Sequence, residues 1–422
     1  MLIFELNVKV DVNTLSRELE AARDAVNRAT GLSNMAACAR WRHDGSCNVI
    51  GYNPCSLLSG SMTTNMNHFL DNSEWAESRQ LHCVRTANHI SEEFETPEDC
   101  TSLHLVPFDS CTVVALMDKF DLQGIAAATF TPMKPNGDIN TSIVGEYVTY
   151  LVENQGVTSI FLNGTSGEGM SLSTAERKKL LEAWLCAGRN RLKYIIVNIS
   201  CSSITDCKEL AKHAEQVGAS AVAITSPSYF CPATPDALVD FLHAVSLEAG
   251  SLPIIYYHIP VMSHIPFLAS TILEAIGNKI PNFAGFKFSD LNLFDASLCM
   301  HNSGRRCPLY YGVDEQMLTG MLMGAQAAIG STYNYLGSKN IEMLSLLQNE
   351  KFQDALNIQI SIQKHIASIS KTGITVPENK VIMSYISGLD MGPPRSPLTA
   401  CGASRTSQLH RAVDSLQSLS RI

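Results

Sequence analysis

The sequence predicts an α/β protein whose main part is a closed (β/α)8 TIM barrel. From residue 124 onward, short apolar runs alternate with amphipathic segments of helical periodicity. That alternation is typical of βα units in a parallel sheet. Eight such runs follow one another between residues 125 and 330, and eight units favour a closed barrel over an open sheet.

Each predicted strand is a short apolar run bounded by polar or turn residues. The eight runs are Ile125–Phe130, Ser159–Leu162, Tyr194–Ile199, Ala221–Thr225, Ile254–Tyr257, Phe283–Lys287, Leu309–Gly312 and Ala327–Gly330.

Cap residues mark the helices that connect these strands. Ser173 and Glu176 form a capping box, and Pro235 follows the N-cap residue Thr234 at the first helical position. Gly218 ends another helix. Helices are predicted over 141–155, 203–217, 267–277, 291–302 and 315–323.

The chain divides into parts of unlike character. Residues 124–398 form the predicted barrel domain, with a C-terminal helical part from about 337, and residues 399–422 form a tail predicted to be helical. Residues 1–123 carry 9 basic and 17 acidic residues and show no such rhythm, although 12–31 are typical of one polar helix. This acidic extension of unknown structure is interpreted as poorly ordered, as a small interaction module or as an artefact of the reading frame.

Composition excludes several classes of protein. With 45% hydrophobic and 17% charged residues, the chain can bury a large core, which excludes wholesale disorder. A net charge of −9 argues against a nucleic-acid binder with a basic face. No apolar run approaches the roughly 20 residues that span a bilayer, and the first residues lack the basic region of a secretory signal. We therefore expect a cytoplasmic protein that contacts neither membrane nor nucleic acid.

The 13 cysteines are scattered, without C-x-x-C spacing, and no H-E-x-x-H motif occurs. This pattern predicts free thiols in a reducing compartment rather than a disulfide framework. It predicts no metal site.

A glycine-rich loop, NGTSGEG at 163–169, follows the second predicted strand. Successive backbone N–H groups in such a turn form a nest for a carboxylate or phosphate, and the hydroxyls of Thr165 and Ser166 add donors. The structural alternative is a plain strand-to-helix turn. The loop is not a P-loop, because no Gly-Lys-Ser/Thr follows.

Polar side chains stand where the fifth and sixth predicted strands end, and barrel enzymes build their active sites at that end. One of Tyr256 and Tyr257 should point into the barrel and one outward. Burial of Lys287 should lower the pKa of its amine, and a neutral amine is the nucleophile of Schiff-base chemistry. A locally bonded tyrosine and an outward, snorkelling lysine are the structural alternatives.

Further polar groups follow the seventh and eighth strands. Asp314 and Glu315 suit acid/base chemistry, metal ligation, sugar-hydroxyl binding or an acidic first helical turn, and Gly330–Tyr335 adds hydroxyls and amides. Together, a nest, a tyrosine and a strand-end lysine suggest imine catalysis on a keto acid. The nest holds the carboxylate, and the lysine attacks the ketone. The protonated imine then accepts electrons when a neighbouring C–C bond breaks.

Four motifs resemble the dihydrodipicolinate synthase/N-acetylneuraminate lyase family of pyruvate-dependent class I aldolases. They read GTSGE at 164–168, YHIP at 257–260, GFK at 285–287 and GSTYN at 330–334. The resemblance extends from about Gly124 to Leu398. Within the family, the residues at 256–260, 312–315, 333–337 and 391–395 look most like the animal enzymes that cleave sialic acid.

The resemblance implies roles for individual residues. Lys287 would form the Schiff base with the C2 carbonyl of the substrate, and Tyr257 would donate and accept protons. The implied substrate contacts are Thr165 and Ser166 at the carboxylate, then Ser289, Gly312, Asp314, Glu315 and Ser331 along the sugar chain. The implied enzyme is a carbon–carbon (oxo-acid) lyase that cleaves N-acetylneuraminate to pyruvate and N-acetylmannosamine, as a homotetramer without a cofactor or metal.

Met262 and His264 depart from the family pattern, and Tyr229 lies near a position that varies within the family. Met262 stands where the synthases place an arginine for a second carboxylate, which counts against synthase activity. His264 replaces a common glycine, and Tyr229 falls near a tyrosine that some relatives supply to a neighbouring subunit. The alternatives are another pyruvate-dependent aldolase on the same scaffold, a catalytically silent sialic-acid-binding barrel and a metal-dependent aldolase, the last disfavoured by the lack of spaced His and Cys ligands.

Overall fold

The computed structural model describes residues 4–9, 36–41, 46–52, 81–82, 120–301, 307–369 and 375–419. The chain separates into two compact units, Met1–Lys119 and Phe120–Ile422. The second unit begins just before Gly124, where we expected the barrel domain to start.

Four strands are described in the first unit: β1 (Phe4–Lys9), β2 (Ala36–Trp41), β3 (Ser46–Tyr52) and β4 (Leu81–His82). They form one antiparallel sheet in the order β1-β3-β2-β4. No strand was predicted here from the sequence, although apolar and polar residues alternate along β1, which reads FELNVK. The polar helix predicted over 12–31 lies outside the described residues.

Eight parallel strands close a barrel in the second unit, which confirms the predicted (β/α)8 fold. Closure is made by the last strand, which pairs with the first through Gly330 opposite Ala127. The strands are β5 (Gly124–Ala128), β6 (Ser159–Leu162), β7 (Tyr194–Asn198), β8 (Ala221–Thr225), β9 (Ile254–His258), β10 (Phe283–Phe288), β11 (Leu309–Tyr311) and β12 (Ala327–Gly330).

Three of the connecting helices begin or end at the predicted cap residues. Ser173 and Glu176 bond reciprocally in a capping box, Thr234 accepts from the third residue of its helix, and Gly218 ends its helix in the left-handed conformation. The helices are α1 (Val144–Thr149, continued by a π-helical turn Tyr150–Asn154), α2 (Thr174–Gly188), α3 (Ile204–Val217), α4 (Pro235–Ser246), α5 (Pro260–Ser263), α6 (Ala269–Ile276), α7 (Leu293–His301) and α8 (Met317–Leu322).

Further helices follow the barrel: α9 (Tyr333–Gln348), α10 (Phe352–Ile369), α11 (Val376–Ser387) and α12 (Ala403–Leu419). Helix α9 begins at Tyr333, before the predicted start of the helical part at about 337, and its backbone is kinked at Leu336. Gly337 permits a close approach there, because a Cβ at that position would lie 2.6 Å from Val157. Among the described residues, no helix is both long and apolar enough to cross a membrane.

The core of the second unit has two layers. A large cluster that includes Trp184 and Tyr256 lies between the strands and the surrounding helices, and a smaller one that includes Ile196, Phe161 and Tyr257 fills the barrel. Strand residues alternate between these layers. This alternation aims one side chain of each neighbouring pair into the barrel.

Candidate active site

Lys287 lies inside the barrel near the carboxyl end of β10. It is paired in register with Tyr257 of the neighbouring strand β9, and only 3% of its surface is exposed. Its Nζ atom stands 3.8 Å from the ring centre of Phe161 and 4.0 Å from that of Tyr257. The structure therefore excludes the outward, snorkelling arrangement.

Burial lowers the pKa of the Lys287 amine, because the charged form is removed from water. The neighbouring Tyr257 and, more weakly, Asp314 oppose that shift. An amine with a lowered pKa is neutral more of the time, and the neutral form attacks a carbonyl. The site thus favours Schiff-base chemistry at Lys287.

Tyr257 is the tyrosine of the adjacent pair that faces the barrel interior. Its hydroxyl lies 3.2 Å from the Thr165 hydroxyl, and its ring meets Phe161 edge-on. Tyr256 is fully buried on the opposite side of β9, where burial raises the pKa of its phenol. Only Tyr257 is placed to exchange protons with a molecule beside Lys287.

The loop over 163–169 turns tightly at the mouth of the barrel. Its backbone is left-handed at Asn163 and Glu168, with φ of 57° and 56°. A Cβ at Gly169 would lie 1.9 Å from the Asn163 carbonyl oxygen, so this turn requires glycine. The Asn198 amide holds the loop by donating to Asn163 O at 2.9 Å.

A buried ion pair ties this loop to the C-terminal helices. Lys380 of α11 donates to the Glu168 carboxylate at 3.0 Å, and neither side chain is more than 1% exposed. The other Glu168 oxygen accepts from the Arg395 backbone N–H at 2.6 Å. The Arg395 guanidinium in turn binds Glu176 at the start of α2.

Asp314 forms the rim opposite the loop, and its burial raises the pKa of its carboxyl to about 6, although hydrogen bonds from Thr332 oppose the shift. Those bonds come from the Thr332 backbone at 2.7 Å and its hydroxyl at 2.6 Å. A Cβ at Gly330 would lie 2.0 Å from the carboxylate, and one at Gly312 would lie 2.1 Å from Ser289 Oγ. Both glycines therefore keep room for polar groups.

These groups surround a cavity of about 660 Å³. Its lining includes eight of the nine predicted site residues: Lys287, Tyr257, Thr165, Ser166, Ser289, Gly312, Asp314 and Ser331. Glu315 is the ninth. Its side chain is exposed to solvent and it is not among the lining residues. Among the described residues that line the cavity, Lys287 is the only cation.

Comparison with known proteins agrees with this geometry. The dihydrodipicolinate synthetase family matches residues 121–416. The chain belongs to this family. The resemblance seen in the motifs is thereby confirmed, and the family match begins where the second unit begins.

The relatives compared below are all named N-acetylneuraminate lyase. The chain is 44% identical to human N-acetylneuraminate lyase over 303 residues, covering 72% of this chain and 95% of the relative. For the Xenopus tropicalis N-acetylneuraminate lyase the identity is 45% over 277 residues, covering 66% and 90%. The solved Proteus mirabilis N-acetylneuraminate lyase superposes with a TM-score of 0.67 at 30% identity, covering 70% of this chain and 99% of that one.

Several cavity residues of this family member were missed by sequence reasoning. Asn198 ends β7 and Ser226 follows β8, while Thr375 and Asn379 come from the helical part after the barrel. The first two are polar residues at the carboxyl ends of predicted strands, a position that could have been recognised from the sequence. The last two meet the mouth only through tertiary packing, which no local pattern predicts.

The structure also describes Met262, His264 and Tyr229, the three residues that the sequence singled out by comparison with the family pattern. Met262 lines the cavity. His264 is left-handed with φ of 56° at the end of α5, a conformation that glycine adopts without strain. Tyr229 is 83% exposed. Within the described residues, no three His, Cys, Asp or Glu side chains form a metal-binding group.

Proposed function

We propose that this chain is an N-acetylneuraminate lyase, a class I aldolase that cleaves N-acetylneuraminate to pyruvate and N-acetylmannosamine in sialic acid breakdown. The observation that carries the proposal is the buried amine of Lys287, held against the rings of Phe161 and Tyr257. Relatives that carry this name, at 43–45% identity, support the choice of substrate.

The reaction begins with binding of the open-chain keto acid. The nest N–H groups and the hydroxyls of Thr165 and Ser166 hold the carboxylate, which brings the C2 ketone to Lys287 Nζ. The amine adds to C2, and loss of water gives the protonated imine. Tyr257 serves as the proton carrier for this addition and loss.

Cleavage follows because the iminium accepts an electron pair. Tyr257 removes the proton of the C4 hydroxyl, the C3–C4 bond breaks, and the electron pair moves into the imine to give an enamine. The C4 carbon leaves as the aldehyde of N-acetylmannosamine. Protonation of C3 restores the imine, and water releases pyruvate and the free Lys287 amine, so the water lost earlier is regained.

The charge of the cavity favours a sugar acid over a substrate with two carboxylates. Among the described lining residues, Lys287 is the only cation, and it is consumed as the imine. Met262 offers a thioether where a second carboxylate would need a cation. Besides the carboxyl groups of Glu168 and Asp314, the polar lining includes hydroxyl and amide groups that suit a polyhydroxylated chain: Ser226, Ser228, Ser289, Ser331, Thr375 and Asn379.

The same proposal covers the remaining site roles and the organisation of the chain. Ser289, Gly312, Asp314 and Ser331 contact the sugar-derived chain, while a contact from Glu315, which is exposed and lies outside the lining, stays a prediction from the sequence alone. Residues 124–398 are the catalytic domain, 399–422 a helical tail and 1–123 a separate extension. We include a cytoplasmic homotetramer in it. Tyr229 and Phe230 expose 83% and 85% of their surfaces. Among the described cysteines, Cys186 is disulfide-bonded, whereas Cys201, Cys207, Cys231, Cys299 and Cys401 are free thiols.

The test is pyruvate release from N-acetylneuraminate by the purified full chain, coupled to lactate dehydrogenase and NADH. Lys287→Arg keeps the positive charge but cannot form the imine, so release should stop while the barrel stays folded. Lys339→Arg, at an exposed ion pair with Glu342, is the matched control and should keep full activity. Retained release by Lys287→Arg contradicts the proposal.

A further inference from the structure

Two cysteines and a buried arginine form a cluster where β7 leads into α3. Arg177 Nη1 lies 3.1 Å from Cys201 Sγ. Cys207 Sγ accepts from the Cys201 backbone N–H at 3.2 Å and lies 3.5 Å from the Cys201 carbonyl oxygen. We call Arg177, Cys201 and Cys207 the thiol cluster. The proposed lyase chemistry uses none of the three.

We propose that Cys201 and Cys207 are a reversible redox pair, oxidised by hydroperoxides to an intramolecular disulfide. The Cys201 thiolate attacks one peroxide oxygen, so the O–O bond breaks and the second oxygen leaves as hydroxide or alkoxide. The Cys207 thiol then attacks the sulfenic sulfur, and water leaves with its proton. The two thiols are oxidised by two electrons in total, and the peroxide is reduced. A dithiol reverses the change by exchange.

The geometry allows the bond without a large movement of the backbone. Because N–Cα is about 1.46 Å, a sulfur 3.2 Å from Cys201 N lies within about 4.7 Å of Cys201 Cα. That separation is compatible with the Cα and Cβ distances of ordinary disulfides. Cys201 is half-buried rather than enclosed, so a small oxidant can reach it.

The two thiols are suited to different steps. The Cys207 thiol, and after it the Arg177 guanidinium, lower the pKa of Cys201 to about 7 against the effect of burial. The pKa of Cys207 is raised by its partner and by burial. Cys201 is therefore the attacking thiolate and Cys207 the thiol that resolves the sulfenic acid.

The thiol cluster touches the supports of the glycine-rich loop. Arg177 also donates to the carbonyl oxygens of Asn198 at 2.5 Å and Ser200 at 2.7 Å, and its own carbonyl accepts from Asn163 at 3.3 Å. A disulfide removes the thiolate that faces the guanidinium. We expect oxidation to raise KM for the keto acid more than it lowers kcat, an effect that rests on the proposed function.

Mass spectrometry tests the disulfide independently of activity. Trypsin releases residues 194–208 as one peptide, YIIVNISCSSITDCK, with both cysteines and no others. Brief peroxide treatment of the folded full chain, followed by alkylation, should leave this peptide two hydrogens lighter and unalkylated. Dithiothreitol before alkylation should restore two alkylatable thiols. In Cys207→Ser, Cys201 should instead accumulate as a sulfenic acid that dimedone captures.

Cys401→Ser removes another half-buried thiol and is the matched control, in which 194–208 should oxidise as in the wild type. The inference fails if 194–208 oxidises no faster than the Cys401 peptide, or if it oxidises equally fast in urea. If the disulfide forms without any rise in KM, only the proposed effect of oxidation on the glycine-rich loop is overturned, and the redox pair itself stands. Absence of pyruvate release in the reduced protein contradicts the proposed function and leaves the mass result intact.

Discussion

Lys380→Met tests how strongly a buried ion pair holds the C-terminal helices to the loop over 163–169. Lys380 Nζ donates to Glu168 at 3.0 Å and to the Pro393 carbonyl at 2.8 Å. Methionine keeps the apolar stem but leaves the Glu168 carboxylate buried with the Arg395 backbone N–H. The variant therefore removes one charge and leaves its partner uncompensated.

Removing one partner of a buried pair costs about 3–5 kcal/mol, because the other charge loses its compensation. In a domain of this size each kcal/mol shifts the melting temperature by about 2–4 °C, so the loss should be roughly 6–20 °C. The control is Lys339→Met, whose partner Glu342 is 52% exposed. Exposed pairs contribute about 0–1 kcal/mol, so that variant should melt close to the wild type.

The assay is thermal unfolding followed by circular dichroism on the full chain, with each variant scanned beside the wild type. Glu168→Gln combined with Lys380→Met removes both charges and should recover part of the loss. The reasoning about this pair is refuted if Lys380→Met has the same melting temperature as Lys339→Met. It is also refuted if the double variant is no more stable than Lys380→Met.

Three further predictions concern the site. Gly330→Ala brings a Cβ against Asp314, so kcat/KM for pyruvate release should fall about 10²-fold. The control is Gly145→Ala, which has open space around it and should leave the kinetics unchanged. Equal rates in the two variants contradict the role of Gly330. Tyr257→Phe should lower kcat by about 10²–10⁴-fold while borohydride still traps some adduct, and unchanged turnover would remove Tyr257 from the mechanism. Burial raises the pKa of Asp314 from 3.8 to about 6, so the folded state holds this proton more tightly and stability falls as pH rises through that window. Urea titrations give the free energy of unfolding of the wild type and of Asp314→Asn at each pH. The difference between these two free energies should change by up to about 3 kcal/mol between pH 3.8 and about 6. A difference that stays constant with pH contradicts the raised pKa of Asp314.

The barrel could be predicted because its signal is local. Each strand is a short, largely buried apolar run, and several of the intervening helices carry local cap residues, as at Ser173 and Gly218. Placing Tyr257 rather than Tyr256 in the barrel needs the pleat of β9. That alternation is fixed by register with the neighbouring strand, which the sequence does not contain.

Long-range partners were beyond sequence reasoning. Glu168 and Lys380 lie 212 residues apart, and no period links them. Glu315 is adjacent to Asp314, but a 3-10 turn points their side chains in different directions and only Asp314 reaches the cavity. The alternation of apolar and polar residues along β1 is a local signal for a strand, but it lies outside the repeated strand–helix pattern on which the fold prediction rests.

The central claim is that Lys287 forms an imine with a keto acid, and borohydride trapping tests it most directly. The full chain is incubated with pyruvate and sodium borohydride, digested with trypsin and mapped by mass. A modified Lys287 resists trypsin, so the account predicts an Nε-(1-carboxyethyl)lysine, the reduced pyruvate imine, on a peptide spanning residues 280–305, absent from Lys287→Arg. Folded wild-type protein that yields no adduct, or an adduct on another lysine, would contradict it.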